Sequence, residues 1–276
     1  MDLAGAMAAG DDEVTQSSSA SKTHGVGSGF RCVTDDDVTL SGVHVAGPVD
    51  GPAFVLAHGF THGTAKPATR AAIEAFAAHG AVVAADFRGH GQSQGRSSVG
   101  RDEVHDLDAV VRWTRAAGYR SVTVVGFSLG GAVALRQAAL GTDRPDIVVA
   151  VSAPSRWYVR ESGPMRRLHW LLEHPLSVRM GAALGVRLGE PWSDLPRSPI
   201  EVAADIDIPL LLVHGTEDDY FTPTHAIALQ DASRDGQLWI EPGMGHGETG
   251  LTADLVGRIA GWSTAGDRAA SPADRH

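Results

Sequence analysis

The chain has 276 residues, 43% of them hydrophobic and 20% charged, with 33 Asp and Glu against 23 Lys and Arg for a formal net charge of -10. That apolar share excludes a disordered or collagen-like polymer, and the acidic balance argues against nucleic acid as the main partner, because phosphate recognition needs a basic face. The single cysteine, Cys32, excludes an intramolecular disulfide and any cysteine-built zinc site.

In chain order, residues 1–29 are rich in Gly, Ala, Ser and Asp and read as a disordered leader. Their one basic residue, Lys22, and their lack of an apolar core do not fit a secretory signal, so the cytoplasm is the expected compartment. Strands are predicted at 38–45, 53–57, 81–85, 121–125, 147–151, 208–213 and 237–240. Helices are predicted at 69–78, 102–117, 129–140, 224–231 and 251–262. In the second helix Val104, Leu107, Val110, Val111 and Thr114 recur at helical spacing, which turns Asp102, Asp106 and Asp108 toward solvent. The longest apolar runs, such as 209–213, are strand-sized and far short of the ~20 residues of a membrane helix.

This alternation predicts an α/β fold with a mostly parallel central sheet and helices on both faces. The core is assigned to 30–154 and 200–263, with a flexible tail at 264–276. Between two strands, 155–199 interrupts the rhythm with short helical patterns, five prolines and the tryptophans 157, 170 and 192. It reads as a helical cap, and its seven Arg against four acidic residues invert the charge of the chain.

The sharpest local signal is Gly126-Phe127-Ser128-Leu129-Gly130-Gly131, which follows a strand and opens a helix. A G-x-S-x-G in that setting forces a tight turn that lifts the serine above the sheet edge, and side chains at the glycine positions would collide with neighbouring strand and helix. A serine hydroxyl is a poor nucleophile at neutral pH and needs a base, itself oriented by an acid. For this architecture the chain order is Ser, then Asp or Glu, then His. The carboxylates Glu217, Asp218 and Asp219 follow the strand at 209–213, and His246 follows the strand at 238–240. Both groups fall just past strand carboxyl ends, where parallel sheets present ligands.

At this point the sequence resembles the α/β-hydrolase superfamily over roughly 31–263. The resemblance rests on Leu56-Ala57-His58-Gly59-Phe60, Asp86-Phe87-Arg88-Gly89-His90-Gly91-Gln92-Ser93, the Gly126–Gly130 elbow, the H-G-x-x-D stretch from His214 to Asp218 and the G-x-G-H stretch from Gly243 to His246. It implies that Ser128 is the nucleophile, His246 the general base and Asp218 the orienting acid, since the family's acid is the fifth residue counted from His214. It also implies an oxyanion hole from the backbone N–H groups of Phe60 and Leu129, and a lid at 155–199. No metal and no organic cofactor is expected. The partner is a small-molecule ester or thioester with a small to medium apolar or aromatic acyl group. A lactonase, a peracid-forming enzyme or a C–C bond hydrolase would use the same three residues, and a non-catalytic binding protein is the alternative from another class.

Other residues have plainer readings. His58 and His214 are expected to make structural hydrogen bonds beneath the site, and His62 and His90 to line the pocket or face solvent. Trp157 and Trp170 are expected in the pocket wall or pinning the cap to the core. Arg88 is expected to brace the sheet rather than bind a carboxylate, and Glu248 to be a solvated loop carboxylate. The cap residues Arg156, Arg160, Arg166 and Arg167 raise an anionic substrate as a further expectation.

Overall fold

The computed structural model describes residues 27–265. Five runs in the sequence are apolar without alternation, and they become five strands buried on both faces: β3 (Pro52–Ala57), β4 (Ala81–Ala85), β5 (Ser121–Phe127), β6 (Ile147–Val151) and β7 (Leu210–Gly215). Strand β8 (Gln237–Glu241) and the two less buried strands β1 (Ser28–Val33) and β2 (Thr39–Val45) complete one eight-stranded sheet in the order β1-β2-β4-β3-β5-β6-β7-β8. Strand β2 pairs antiparallel with both β1 and β4, and every pairing from β4 to β8 is parallel.

Two-residue alternation then sends the strand side chains to two cores. Val55, Val83, Val122, Val124 and Leu212 meet Leu107, Val110, Val133 and Leu135 on helices α2 (Glu103–Ala116) and α3 (Leu129–Leu140). Phe54, Leu56, Val82, Val125, Phe127 and Leu211 meet Ile73, Phe76, Val256 and Ile259 on α1 (Pro67–Ala77) and α8 (Ala253–Thr264). Fully burying such a side chain contributes about 1.5–3 kcal/mol, so the sheet core dominates the stability of the molecule.

The predicted strands and helices form, with shifts at their ends. The strand expected at 208–213 runs instead from Leu210 to Gly215, carrying His214 into the sheet. The expected leader falls largely outside the described residues, but its last residues, Ser28 and Gly29, belong to β1, a strand that periodicity did not reveal because most of its residues are exposed. The expected tail also lies outside them, except for Thr264, which closes α8, and its cap Ala265.

The second helix departs from expectation in an instructive way. Val104, Leu107, Val110 and Val111 do face inward, but Asp106 and Asp108 are buried too, as is Glu103. Each carboxylate is satisfied by donors from elsewhere in the protein. Glu103 accepts from Ser97 Oγ at 2.7 Å, from Ser98 N and Oγ at 3.0 and 2.8 Å, and from Gly100 N at 2.8 Å. Asp106 accepts from Arg88 N and Nε at 2.8 and 2.9 Å, and Asp108 from Gln137 Nε2 at 2.8 Å and Thr142 N at 3.1 Å. Buried charges persist only when paired in this manner.

The segment 155–199 enters between β6 and β7. It holds α4 (Gly163–Glu173), capped by Ser162 Oγ accepting from Met165 N at 3.2 Å, and α5 (Ser177–Ala183). Its start is tethered to α7 (Thr224–Ala232) through Ser155 N donating to His225 Nδ1 at 3.1 Å, and bridges from Val186 to His90 and from Leu188 to Ser97 fasten its far end. A last short helix, α6 (Pro199–Val202), leads back to β7 and carries a capping box from Ser198 and Glu201.

Candidate active site

Strand β5 ends at Phe127 and α3 begins at Leu129, so Ser128 must reverse the chain alone. It does so at φ 53°, ψ -117°, a left-handed region that L-residues avoid. The flanking glycines are required by contact. A Cβ on Gly126 would lie 2.3 Å from the Gly130 carbonyl oxygen, and one on Gly130 would lie 2.1 Å from that of Ala57. The strain is therefore held by backbone packed against backbone.

The loops after β7 and β8 are stitched to each other. Thr216 N donates to Glu241 O and Glu217 N to Met244 O, each at 3.0 Å, and Gly243 N donates to Thr216 Oγ1 at 2.9 Å. A Cβ on Gly215 would fall 2.0 Å from Met244 O, so only glycine permits this approach. The stitching brings Asp218 to His246. The carboxylate oxygens lie 2.8 and 2.9 Å from Nδ1, and Asp218 also accepts from Tyr220 N at 2.8 Å and Phe221 N at 3.0 Å. Burial raises the Asp218 carboxyl pKa, but the hydrogen bond and charge of His246 and the two N–H donors outweigh it and hold the group below the ordinary carboxylate value. Of the three adjacent carboxylates, Glu217 and Asp219 are exposed. The imidazole of His246 meets two aromatics, with Tyr220 stacked at 4.3 Å and Phe221 edge-on at 5.5 Å.

Ser128 and His246 line one cavity of about 990 Å³, together with Phe60, Leu129, His62 and Trp157. A Cβ placed on Gly247, the residue after His246, would be 3.9 Å from the Ser128 Cβ, which measures how closely the loop after β8 approaches the elbow. Each residue predicted for the chemistry thus stands at this cavity or directly behind it.

The supporting histidines divide. His58 Nε2 accepts from Phe87 N at 3.0 Å with its Nδ1 2.8 Å from Gly59 O, and burial pushes its pKa down to about 3, so it is a neutral structural group. His214 Nε2 donates to Phe221 O at 2.9 Å, and burial lowers its pKa also. His62 lines the cavity as expected. His90 neither lines it nor faces solvent: it is buried, with Nε2 2.6 Å from Phe60 O. Arg88 is a brace, paired to Asp36 at 2.6 Å and to Asp106 at 2.8 Å.

Two expectations need correction. Trp170 is 59% exposed and packs on His174 rather than on the cavity. Met165, Leu168 and Leu172 form the inward stripe of α4, and Trp170 falls on the opposite side at 100° per residue. Trp192 takes its place, lining the cavity with Trp157 at a ring separation of 5.4 Å and donating to Ser98 O. Glu248 is not solvated. It is 6% exposed, accepts from Gly59 N at 2.8 Å and lies 3.1 Å from His62 Nδ1. Its partners are in the loop after β3. The stacked Tyr220 and the strained Val99, at φ 55° in the cavity wall, also went unread, since neither has a local sequence signature.

Of the four cap arginines, Arg167 lines the cavity, Arg156 lines a smaller pocket beside His225, Arg160 pairs with Glu173, and Arg166 donates to the Arg160 and Glu161 carbonyls. Among the described residues no group of three or more His, Cys, Asp or Glu is placed to hold a metal ion, and no helix is long and apolar enough to cross a membrane.

Comparison with known proteins agrees with this architecture. The esterase Pf2001 of Pyrococcus furiosus is similar at 24% identity with a TM-score of 0.65, over 85% of this chain and 90% of that one. The esterase RhEst1 from Rhodococcus sp. ECU1013 is similar at 21% identity with a TM-score of 0.67, over 86% and 98%. Est1E from Butyrivibrio proteoclasticus, solved with ferulic acid bound, is similar at 20% identity with a TM-score of 0.58, over 83% and 95%. At these identities the likeness is one of fold. A family model described as the alpha/beta hydrolase family matches residues 54–254, most of the chain, and the protein therefore belongs to the alpha/beta hydrolase family.

Proposed function

We propose that this protein is a serine hydrolase that cleaves a carboxylic ester or thioester of a small to medium apolar or aromatic acyl group, with Ser128 as nucleophile, His246 as general base and Asp218 as its orienting acid. The observation that carries the reading is the Asp218–His246 contact at 2.8 Å beside a strained serine on the same cavity. Apolar wall residues such as Leu168, Leu172, Trp157 and Trp192 suit an apolar or aromatic acyl group. Two of the similar proteins are described as esterases and a third holds an aromatic acid, in keeping with that substrate class. The segment 155–199 acts as the cap over the site, and the cytoplasm is the compartment we propose.

In the reaction, the Ser128 hydroxyl gives its proton to Nε2 of His246 while Oγ bonds to the carbonyl carbon. The carbonyl π pair moves to oxygen, and the resulting anion is held by the N–H groups of Phe60 and Leu129. Leu129 opens α3, so the positive end of the helix dipole adds to this stabilisation. Each such donor lowers the barrier by about 3 kcal/mol. Asp218 stabilises the imidazolium, which then protonates the leaving oxygen or sulfur as its bond to carbon breaks. A water, deprotonated by His246, attacks the acyl-enzyme and releases the acid.

A fluorophosphonate probe tests the assignment. Labelling is expected on Ser128 and is lost in Ser128→Ala. A folded wild-type protein that takes no label would overturn the reading in favour of a binding protein. A panel of p-nitrophenyl esters graded by acyl length, run beside thioesters and lactones, then ranks the substrates.

A further inference from the structure

Glu248 is a buried carboxylate at the cavity that the reaction above does not use. Its surroundings concern one peptide unit, the one that carries Gly59 C=O and Phe60 N–H. His62 N donates to Gly59 O at 3.0 Å, closing residues 59–62 into a turn, and His58 Nδ1 lies 2.8 Å from the same oxygen. On one side of that unit Glu248 Oε1 accepts from Gly59 N at 2.8 Å. On the other, His90 Nε2 lies 2.6 Å from Phe60 O. Glu248 also lies 3.1 Å from His62 Nδ1, so a single carboxylate faces both ends of the turn.

The placement has an electrostatic cost that needs a reason. A Cβ on Gly59 would be 3.3 Å from Glu248 Oε2 and 3.5 Å from Ser128 Cβ, so the negative charge sits close to where an oxyanion would develop. An unpaired carboxylate there would oppose the transition state. The His62 imidazole beside it offsets that charge when protonated. What then remains is the carboxylate's rigid grip on Gly59 N, an N–H that would otherwise be buried without a partner.

We infer that Glu248 is the positioning residue of the oxyanion loop: it fixes the turn at 59–62 so that Phe60 N–H points at the transition-state oxygen, with His62 as its counter-charge. The inference rests on the serine-hydrolase reading above. It joins the base loop to the oxyanion loop, because Glu248 follows His246 by two residues.

The test compares Glu248→Leu, Glu248→Asp and Glu248→Gln with wild type, using a p-nitrophenyl ester and a trifluoromethyl ketone, which takes up the serine oxygen to form a tetrahedral oxyanion. Misplacing a catalytic group by about 1 Å costs on the order of 100-fold. Glu248→Leu is therefore expected to lower kcat by about 100-fold with KM within about threefold, and to weaken the ketone by a similar factor. Glu248→Asp, which keeps the charge but shortens the reach, is expected to lose about tenfold in both and serves if the leucine variant does not fold. Glu248→Gln keeps an oxygen acceptor for Gly59 N and is expected to recover most of the activity lost in Glu248→Leu. Unchanged kcat in the leucine and aspartate variants overturns the inference, as does a loss confined to KM with ketone affinity intact. Equal losses in the glutamine and leucine variants overturn it too. A wild type with no hydrolysis dependent on Ser128 fails the underlying reading instead and takes the inference with it.

Discussion

Both carboxylate oxygens of Asp218 face Nδ1 of His246, at 2.9 and 2.8 Å, while the neighbouring Glu217 and Asp219 face solvent. Of the three, only Asp218 is placed to hold Nδ1 of His246, as the orienting role proposed for it requires. Asp218→Asn is expected to lower kcat by roughly 10⁴-fold, the scale of a lost orienting carboxylate in such triads. Glu217→Gln and Asp219→Asn are expected to stay near wild type. Steady-state kinetics on the three variants decides between them.

The His62–Glu248 pair makes a prediction about stability and pH. Burial raises the Glu248 carboxyl, but His62 and the Gly59 N–H outweigh it and hold it below its ordinary 4.5. Its contribution to stability is complete above that value and is lost as the pH falls below it. The carboxylate in turn raises His62 above its ordinary 6.5, so that contribution is complete below 6.5 and lost as the pH rises. The stability difference between wild type and Glu248→Gln is thus expected to be largest between pH 4.5 and 6.5 and to shrink on either side. Urea unfolding at a series of pH values measures it, and a difference that is flat with pH would count against the pair.

Arg88 and Asp106 form a buried ion pair at 2.8 Å that touches no part of the cavity. Burial already raises the Asp106 carboxyl to about 7 against the pull of Arg88, so Arg88→Met leaves it buried without its partner and driven to take up a proton, and is expected to cost about 3–5 kcal/mol. Adding Asp106→Asn removes the ionisable group while keeping an acceptor for the backbone N–H of residue 88, and is expected to restore part of the loss. Denaturant midpoints of the single and double variants provide the comparison.

The tryptophans separate packing from exposure. Trp157 is buried, donates to Pro196 O at 2.9 Å and lies under the Arg136 guanidinium at 5.7 Å. Trp157→Ala is expected to cost about 3–5 kcal/mol and to shift acyl-chain selectivity. Trp170→Ala is expected to stay within about 0.5 kcal/mol of wild type, with its ester profile unchanged. Thermal unfolding and the ester panel read both effects.

The central strands, the elbow turn and the two loops that bring Asp218 to His246 are legible because each has a local physical cause: unbroken apolar runs, glycines at forced close approaches, and positions at strand carboxyl ends. Asp106, Asp108 and Glu248 were not, and for a common reason. Hydrophobic periodicity assigns a carboxylate to solvent, whereas here partners far along the chain, such as Arg88, Gln137 and Gly59, make burial tolerable. Trp170 failed differently. Its residue type suggested a pocket wall, but the rotation of α4 relative to Met165 and Leu168 decided its side. Strand β1 escaped because an edge strand with few buried residues has little apolar pattern to read.

The segment 155–199 is inserted between β6 and β7, while Ser128, Asp218 and His246 stand just past the ends of β5, β7 and β8. On the proposed reading, the reacting groups and the segment that roofs them are thus separate stretches of polypeptide. Evolution, or an engineer, could then exchange that roof for one of another shape and so redirect the molecule to new compounds, with the proposed chemistry below inherited intact.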